Sequence, residues 1–570
     1  MGRQEPSFGN LRLELLLLAL PLEKMPLFIL DQVTEMFMHS KLLLRDLRKV
    51  RGRWSAKTRS TPAEHLKALQ MAAVLASWLH TMKRIFTLLL LSMATALFAA
   101  QKPNIIFIMA DDLGFSELGS YGQKKIKTPH LDRLAREGMR FTANYSGNAV
   151  CAPSRCVLMT GKHPGHAFVR NNKELKPEGQ HPIPLAEVTM AELLQKQGYT
   201  TGAFGKWGLG GPGSTGDPMH QGFDRFFGYN CQRVAHSYYP PYLWSNKEQY
   251  ELNNKPPVPG HASLPKDADA SDPRSYDIFK GQDYAPDRIN DRALAFVEKN
   301  KDRPFFLYYP TVIPHVALHV PDEELKPYLA QKWNDPPFTR AKGYGYTPHF
   351  TPRAAYAAMI TRMDRYIGNV LNLVKKLGLE KNTIVVFTSD NGTTHLKLEV
   401  DYDFFESVNP LRGLKGSLYE GGIRVPLIVK WPGKIKAGST SDYRTGLEDW
   451  LPTVLDLIGA SNPTPNNIDG ISIAPTLLGK AQAQRDNLYR EFTGYGGQQA
   501  VWMGDWKGIR QNMLRKNNKT PLKIELYNLK TDIAESKDVA AKHPKVVNQI
   551  RQLMKSQHTP SADFPFKPID

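Results

Sequence analysis

Cysteine is scarce in this chain, with three in 570 residues, at positions 151, 156 and 231. That is too few for a disulfide scaffold, so the fold has to be held by a packed core; whether Cys156 and Cys231 pair is left open. Acidic side chains are in deficit, 55 Asp and Glu against 74 Lys and Arg, for a formal charge of +19. Part of the excess lies early: residues 1–81 hold twelve basic and seven acidic side chains, Lys83 and Arg84 add two more, and +12 remains for 101–570. Those later residues have no zinc-finger spacing, aromatic RNA-binding motif or dense basic run. Nucleic acid is therefore not an expected partner, whereas a basic surface suits a polyanionic ligand. No internal repeat is present, which argues against a solenoid. Apolar runs long enough to span a bilayer, about 20 residues, are missing too. The run at 85–100 is short, and 15–20 is bracketed by Glu14 and Glu23. No stable membrane anchor is expected in the mature chain.

What is present begins with Met82-Lys83-Arg84, the apolar run 85–100 with small residues at its end, and a polar stretch from Gln101. That order is a secretory signal peptide over 82–100 and predicts a secreted or periplasmic protein. Signal peptides begin chains, so 1–81 reads as a non-native upstream extension and Met82 as the start. Forty-two prolines and forty-three glycines beside an ordinary 41% hydrophobic share indicate long ordered loops over a scaffold.

Residues 104–109 form a short, continuously apolar run ending at Asp111 and Asp112, which reads as a central strand of a sheet covered on both faces. Thr189 with Glu192 makes a capping box before a helix that Gly198 stops, and a strand follows over 199–204. From 207 to about 287 the chain is rich in Gly, Pro, Tyr and Asn without strong periodicity, and reads as ordered loops over the active-site edge. The scaffold resumes with a helix near 291–299, a strand at 305–309, a long helix carrying Ile360, Met363, Ile367, Val370, Leu371 and Val374, and a strand 383–387 leading to Asp390-Asn391-Gly392. Alternation of strand and helix predicts an α/β fold, a large mixed, mostly parallel sheet flanked by helices. Short strands near 500–506 and 526–529 and a helix with Val546, Ile550 and Leu553 predict a smaller C-terminal α+β subdomain. The expected division is 101–430 for the catalytic domain and 431–570 for the subdomain.

Four segments beside predicted strands supply chemistry. Asp111, Asp112, Asp390 and Asn391 are hard oxygen donors without accompanying histidine or thiolate, a set that suits Ca2+, with Mg2+ possible, better than zinc. Cys151-Ala152-Pro153-Ser154-Arg155 opens a run through Thr160-Gly161-Lys162 that continues as an apolar helix. This box resembles the signature of the formylglycine-dependent (type I) sulfatases, members of the alkaline phosphatase superfamily. In them that cysteine is oxidised to formylglycine by a maturation enzyme.

The resemblance extends from about 102 to 539 and implies roles residue by residue. Asp111, Asp112, Asp390 and Asn391, with the modified Cys151, bind a divalent cation, commonly calcium. One hydroxyl of the hydrated aldehyde attacks sulfur and expels the alcohol; the second is deprotonated and drives out sulfate. Arg155 holds the formylglycine and supports the metal site. Lys206, in Gly205-Lys206-Trp207-Gly208, and Lys415, in Arg412-Gly413-Leu414-Lys415-Gly416, bind sulfate. His315, in Ile313-Pro314-His315, is the general acid for the leaving oxygen. Lys162 is a substrate-side residue further out. The insert 210–244 is similar to that of exported bacterial sulfatases acting on carbohydrates, so the implied activity is hydrolysis of a sulfate ester of a sugar or glycan.

One position departs from the pattern. Many sulfatases have histidine two residues after the lysine matched by Lys206, where this chain has Gly208. His163, His166 and His236 are candidates for the missing base, and His236 lies in the loop region assigned to the site. Two other readings remain: a phosphodiesterase or phosphonate ester hydrolase of the same superfamily, and a catalytically silent protein that binds sulfated glycans.

Overall fold

A computed structural model describes residues 102–340, 345–461 and 464–570, with helical positions scattered between 61 and 84. The signal-peptide reading of 82–100 and most of 1–81 lie outside the described residues. Among the described residues, no helix is long and apolar enough to cross a membrane.

Residues 101–570 form one unit. Its strands, in chain order, are β1 (Asn104–Asp111), β2 (Met139–Phe141), β3 (Asn144–Tyr145), β4 (Thr200–Lys206), β5 (Arg225–Tyr229), β6 (Tyr242–Ser245), β7 (Glu248–Glu251), β8 (Phe305–Pro314), β9 (Thr383–Ser389), β10 (Leu427–Lys430), β11 (Ser439–Ser441), β12 (Thr445–Gly446), β13 (Leu488–Phe492), β14 (Gln498–Met503), β15 (Trp506–Arg510) and β16 (Glu525–Asn528). Ten of them make one sheet in the order β11-β2-β10-β9-β1-β8-β4-β5-β6-β7. The five central strands, β9 to β5, run parallel to one another. Their C-terminal ends therefore open on one edge.

The central strand shows why the sequence there is uninterruptedly apolar. All eight residues of β1 are buried, and successive side chains point to opposite faces. Ile106 and Ile108 pack with Phe296 of the helix Ala285–Lys299 and with Ile360 and Ile367 of the helix Pro352–Lys376. Ile105, Phe107 and Met109 pack on the other side with Val157 and Leu158 of the helix Cys151–Thr160 and with Trp450 of the helix Trp450–Leu457. Phe107 meets the Trp450 ring edge-on at 5.3 Å. Each such side chain contributes about 1.5–3 kcal/mol by leaving water, so this layer fixes the β1 register against both neighbours.

The stretch read as loops up to 287 differs from expectation. It contains β5, β6 and β7, which extend the sheet by three strands. These are four or five residues each and are held by pairing with β4 and with each other, so no long periodic signal announces them. The helix expected near 291 begins at Ala285, with Pro286 in its first turn. The capping box at Thr189 and Glu192 is formed.

Strands β13 to β16 form a separate antiparallel sheet. One face takes Ile550 and Met554 of the helix Pro544–Ser556; the other packs Phe492, Ala500 and Trp502 against Tyr145, Leu418 and Ile423 from earlier in the chain. Cys151, Cys156 and Cys231 are all buried and free, so the open question of a disulfide is answered: there is none.

Candidate active site

Five chain segments converge at the C-terminal edge of the parallel strands. β1 ends at Asp111 with Asp112 following, β9 leads into Asp390 and Asn391, β4 ends at Lys206, and β8 leads into His315. Cys151 opens the helix Cys151–Thr160, placing position 151 at the positive end of the helix dipole. Arg155 follows one turn later on the same side. This is the edge where open α/β sheets bind ligands.

Lys206 Nζ lies 2.6 Å from Asp111 Oδ2 and 3.5 Å from Cys151 Sγ. Lys415 Nζ lies 2.8 Å from Asp112 Oδ2 and 3.9 Å from the same sulfur. Two ammonium groups thus flank position 151, each anchored by its own aspartate. Arg155 donates to Asp390 Oδ2 at 2.7 Å and to the Lys206 carbonyl, tying the ends of β9 and β4 together. Asn391 Nδ2 donates to Asp112 Oδ1 at 2.7 Å, and the Asp112 N–H to Asp390 Oδ1 at 3.2 Å. Asp112 holds a left-handed backbone, φ 69°, the strained kind of position that clusters at functional sites. Gly392 is required where it stands, because a Cβ there would lie 2.1 Å from the Gly421 carbonyl oxygen.

Burial alone would strip the protons from Lys206 and Lys415. Asp111 beside one and Asp112 beside the other more than offset it, so both stay above the usual lysine range and keep their charge. Burial also opposes ionisation of Asp111, but Lys206, His315 and Arg155 together hold it below the usual carboxylate range. Asp390 goes the other way: burial and the neighbouring Asp111 charge push it up to about 7, despite Arg155. Burial pushes the Cys151 thiol up to about 11 although both lysines pull against it. As a plain cysteine this side chain stays protonated at neutral pH, a poor nucleophile.

The fit of a cation is tested by the oxygens left over. Asp111 Oδ1 and Asn391 Oδ1 are buried without a hydrogen-bond partner, a costly state for a polar atom. Ligand atoms of Asp111, Asp112, Cys151 and His315 all come within 4.8 Å of one another. Carboxylate and amide oxygens, two of them bare, fit a calcium or magnesium ion.

The histidines divide. His315 donates from Nδ1 to the Val316 carbonyl, which leaves Nε2 facing Asp112 Oδ2 at 3.7 Å. His236 stacks on His315 with centroids 4.9 Å apart and planes 8° apart. Its Nδ1 lies 2.9 Å from His261 Nε2, and His261 Nδ1 lies 3.1 Å from the Gly345 carbonyl. A carbonyl only accepts, so His261 carries its proton on Nδ1 and accepts at Nε2. His236 must then donate from Nδ1 and present a bare Nε2. Burial, reinforced by His315, keeps His236 well below the ordinary histidine range and hence neutral. His163 and His166 lie elsewhere, with Asp469: His166 Nδ1 is 2.8 Å from its Oδ1, and His163 Nε2 is 2.8 Å from Gln557 Oε1. Lys162 is held at 2.7 Å by Glu187. Among the described residues no hydrogen bond or ion pair joins Lys162, His163 or His166 to the cluster.

Sequence reasoning missed His261, Tyr346 and Gln232. Tyr346 walls the paired histidines, 5.0 Å from the His236 ring and 5.6 Å from that of His315. Gln232 explains Gly208: a Cβ at 208, where φ is +84°, would lie 1.8 Å from Gln232 Nε2. The carboxamide takes the room a side chain there would need. Gly260 carries the one legible signal, since a Cβ on it would sit 2.5 Å from the His236 carbonyl oxygen and keep the His261 loop away.

A cysteine at a helix N-terminus, flanked by two lysines above a set of oxygen donors, suits a hydrolase of anionic esters. The family described as "Sulfatase" matches residues 103–460, and "N-sulphoglucosamine sulphohydrolase, C-terminal" matches 414–560. Human arylsulfatase A is 33% identical over 417 residues, 70% of this chain and 73% of that protein. An N-acetylgalactosamine-6-O-sulfatase of Bacteroides thetaiotaomicron is 32% identical over 516 residues, 81% of this chain and 94% of that protein. The crystal structure of Ps i-CgsB superposes with a TM-score of 0.64 at 27% identity, covering 80% of this chain and 93% of that one. The chain belongs to the sulfatase family: it is a sulfuric ester hydrolase of the alkaline-phosphatase-like fold.

Proposed function

We propose that the protein is an exported sulfatase that removes a sulfate ester from a sugar or glycan, using formylglycine at position 151 and a divalent cation held by Asp111, Asp112, Asp390 and Asn391. The observation that carries this reading is the pair of charged lysines within 4 Å of Cys151 Sγ, set against bare carboxylate and amide oxygens. The carbohydrate assignment is supported by the similarity to the N-acetylgalactosamine-6-O-sulfatase along most of both chains. Export rests on 82–100, and formation of formylglycine calls for a maturation enzyme in the host. In this reading 101–430 supplies the reacting groups and 431–570 braces them.

When present, formylglycine supplies two hydroxyls on one carbon and the cation supplies concentrated positive charge. The chain's own residues do the rest. Lys206 and Lys415 hold the sulfuryl oxygens and offset the charge that builds on them. Arg155 keeps Asp390 and the Lys206 backbone in place. His315 Nε2 delivers a proton to the leaving oxygen; burial first and then the Lys415 charge oppose protonation of this ring, and the bound anionic ester offsets the lysine part. His236, whose bare Nε2 belongs to the same stack, accepts a proton as sulfate departs.

Full-length protein matured in a competent host is expected to release sulfate from O-sulfated hexosamines. It should lose that activity on chelation and regain it with Ca2+, and mass spectrometry of the peptide containing Cys151 should show loss of the thiol. Faster release of phosphate from aryl phosphates, or an unmodified thiol with glycan binding and no turnover, would favour one of the two other readings. His236→Ala is expected to lower kcat on the order of 10²-fold, with a stoichiometric burst of alcohol before a slow phase. Full turnover without a burst would remove His236 from this role.

A further inference from the structure

An exposed aromatic pair stands at the rim of the site and takes no part in the chemistry above. Tyr495 is 52% exposed, in the loop after β13, with glycine at 494, 496 and 497. Its φ is +51°, a left-handed conformation costly for a bulky residue. His395, also exposed, meets it edge-on with centroids 5.3 Å apart and planes at 85°. The ring lies over Gly416, where a Cβ would come within 2.8 Å of two ring carbons. Only glycine next to Lys415 lets the tyrosine settle there.

The loop is clamped on both sides of position 151. Asn171 Nδ2 donates to Thr493 Oγ1 at 3.3 Å, while the adjacent Asn172 accepts from the Ala152 N–H at the start of the helix Cys151–Thr160. Gln498 Nε2 donates to the Gly416 carbonyl at 2.7 Å, and its Oε1 accepts from the Leu418 N–H at 2.9 Å. A strained, exposed aromatic side chain, on a loop held at Thr493 and Gln498 beside the partly buried ammonium group of Lys415, is a surface built to be covered.

We propose that Tyr495 and His395 form an aromatic corner that stacks on the pyranose ring carrying the sulfate, with the C–H face of the sugar against the tyrosine and the ester directed past Gly416 to Lys415. This would give the C-terminal subdomain a direct part in substrate binding. The inference rests on the proposed hydrolysis of a carbohydrate sulfate ester. Hydroxyl-bearing rings suit the corner because the tyrosine hydroxyl, the His395 ring nitrogens and Lys415 lie beside its apolar faces.

Steady-state kinetics of the matured full-length enzyme on an O-sulfated hexosamine provides the test. Tyr495→Ala is expected to raise KM about tenfold, the size of one aromatic contact, with kcat little changed. Tyr495→Phe should restore KM. Inorganic sulfate should inhibit wild type and variants equally, since it meets the lysines and not the ring. Tyr495→Gly, which removes the ring and relieves the backbone, should repeat the alanine result and carries the test if the alanine variant folds poorly. An unchanged KM on removing the ring, or no recovery with phenylalanine, overturns the aromatic corner. A wild-type enzyme inactive on every sulfate ester would instead sink the proposed function.

Discussion

Cys151→Ala is expected to abolish turnover, by on the order of 10⁴-fold or more, while the protein folds and melts as before. Position 151 is the first residue of its helix, without a side-chain cap bond to lose, and alanine is tolerated there as well as cysteine. The lysine–aspartate pairs at 206–111 and 415–112 do not depend on the sulfur, so the variant should still bind inorganic sulfate. Cys151→Ser distinguishes a nucleophile from a bystander. A serine Oγ between the two ammonium groups can displace the alcohol once, but it has no second hydroxyl with which to expel sulfate. The expected outcome is a single turnover and a protein heavier by one sulfuryl group, seen by intact-mass spectrometry. Appreciable steady turnover in the alanine variant would contradict the assigned nucleophile.

Much of the site could be read from the chain because its parts sit at the ends of strands. The run 104–109 announces a buried strand by its apolarity, and the carboxylates that follow must then lie at its C-terminal edge; the same holds for 383–387 and Asp390. Parallel strands end together, so residues nearly three hundred apart meet without any local signal linking them. The cysteine box and the lysine motifs were recognisable as residue patterns, and the structure brings Cys151, Arg155, Lys206 and Lys415 into contact.

What stayed hidden depends on close approach between loops. Gly260 hints at a close approach beside His261, but not that this ring fixes the tautomer of His236, because that requires the Gly345 carbonyl on a third segment. Gly208 looked like a missing side chain and is instead the partner of Gln232, a relation visible only once β4 and β5 lie side by side. Lys162 had the right motif and the wrong direction: it points to Glu187. Tyr495 lies between β13 and β14, and its ring meets Gly416 only once two distant segments are brought together.

The largest expected loss of stability follows from Lys507→Met, about 3–5 kcal/mol. Lys507 Nζ stands 3.0 Å from Glu420 Oε1 and 2.7 Å from Glu535 Oε1, and all three side chains are fully buried. Glu420 also accepts from the Tyr145 hydroxyl and from Trp502 Nε1, while the Glu420 N–H donates to Glu535 Oε2 at 2.7 Å. Burial works against both carboxylates; Lys507 and Arg424 nevertheless hold Glu420 down to about 2, whereas Glu535 rises to about 7. Taking away the lysine leaves two buried acids facing each other. Because the folded Glu420 is depressed below its ordinary 4.5, its stabilisation is present above that pH and is lost as pH falls toward 2. The gap in melting temperature between wild type and Lys507→Met should therefore be wide near pH 7 and close below pH 4.5, and Lys507→Met/Glu535→Gln should recover part of it. The effect should reach the active site, since the turn Glu420–Ile423 begins at this carboxylate and its Gly422 carbonyl accepts from the Gly392 N–H beside Asn391. Equal melting of wild type and variant across that pH range would show that the acids are not held by Lys507, and would leave the C-terminal sheet with no electrostatic hold on the loop of Asp390 and Asn391.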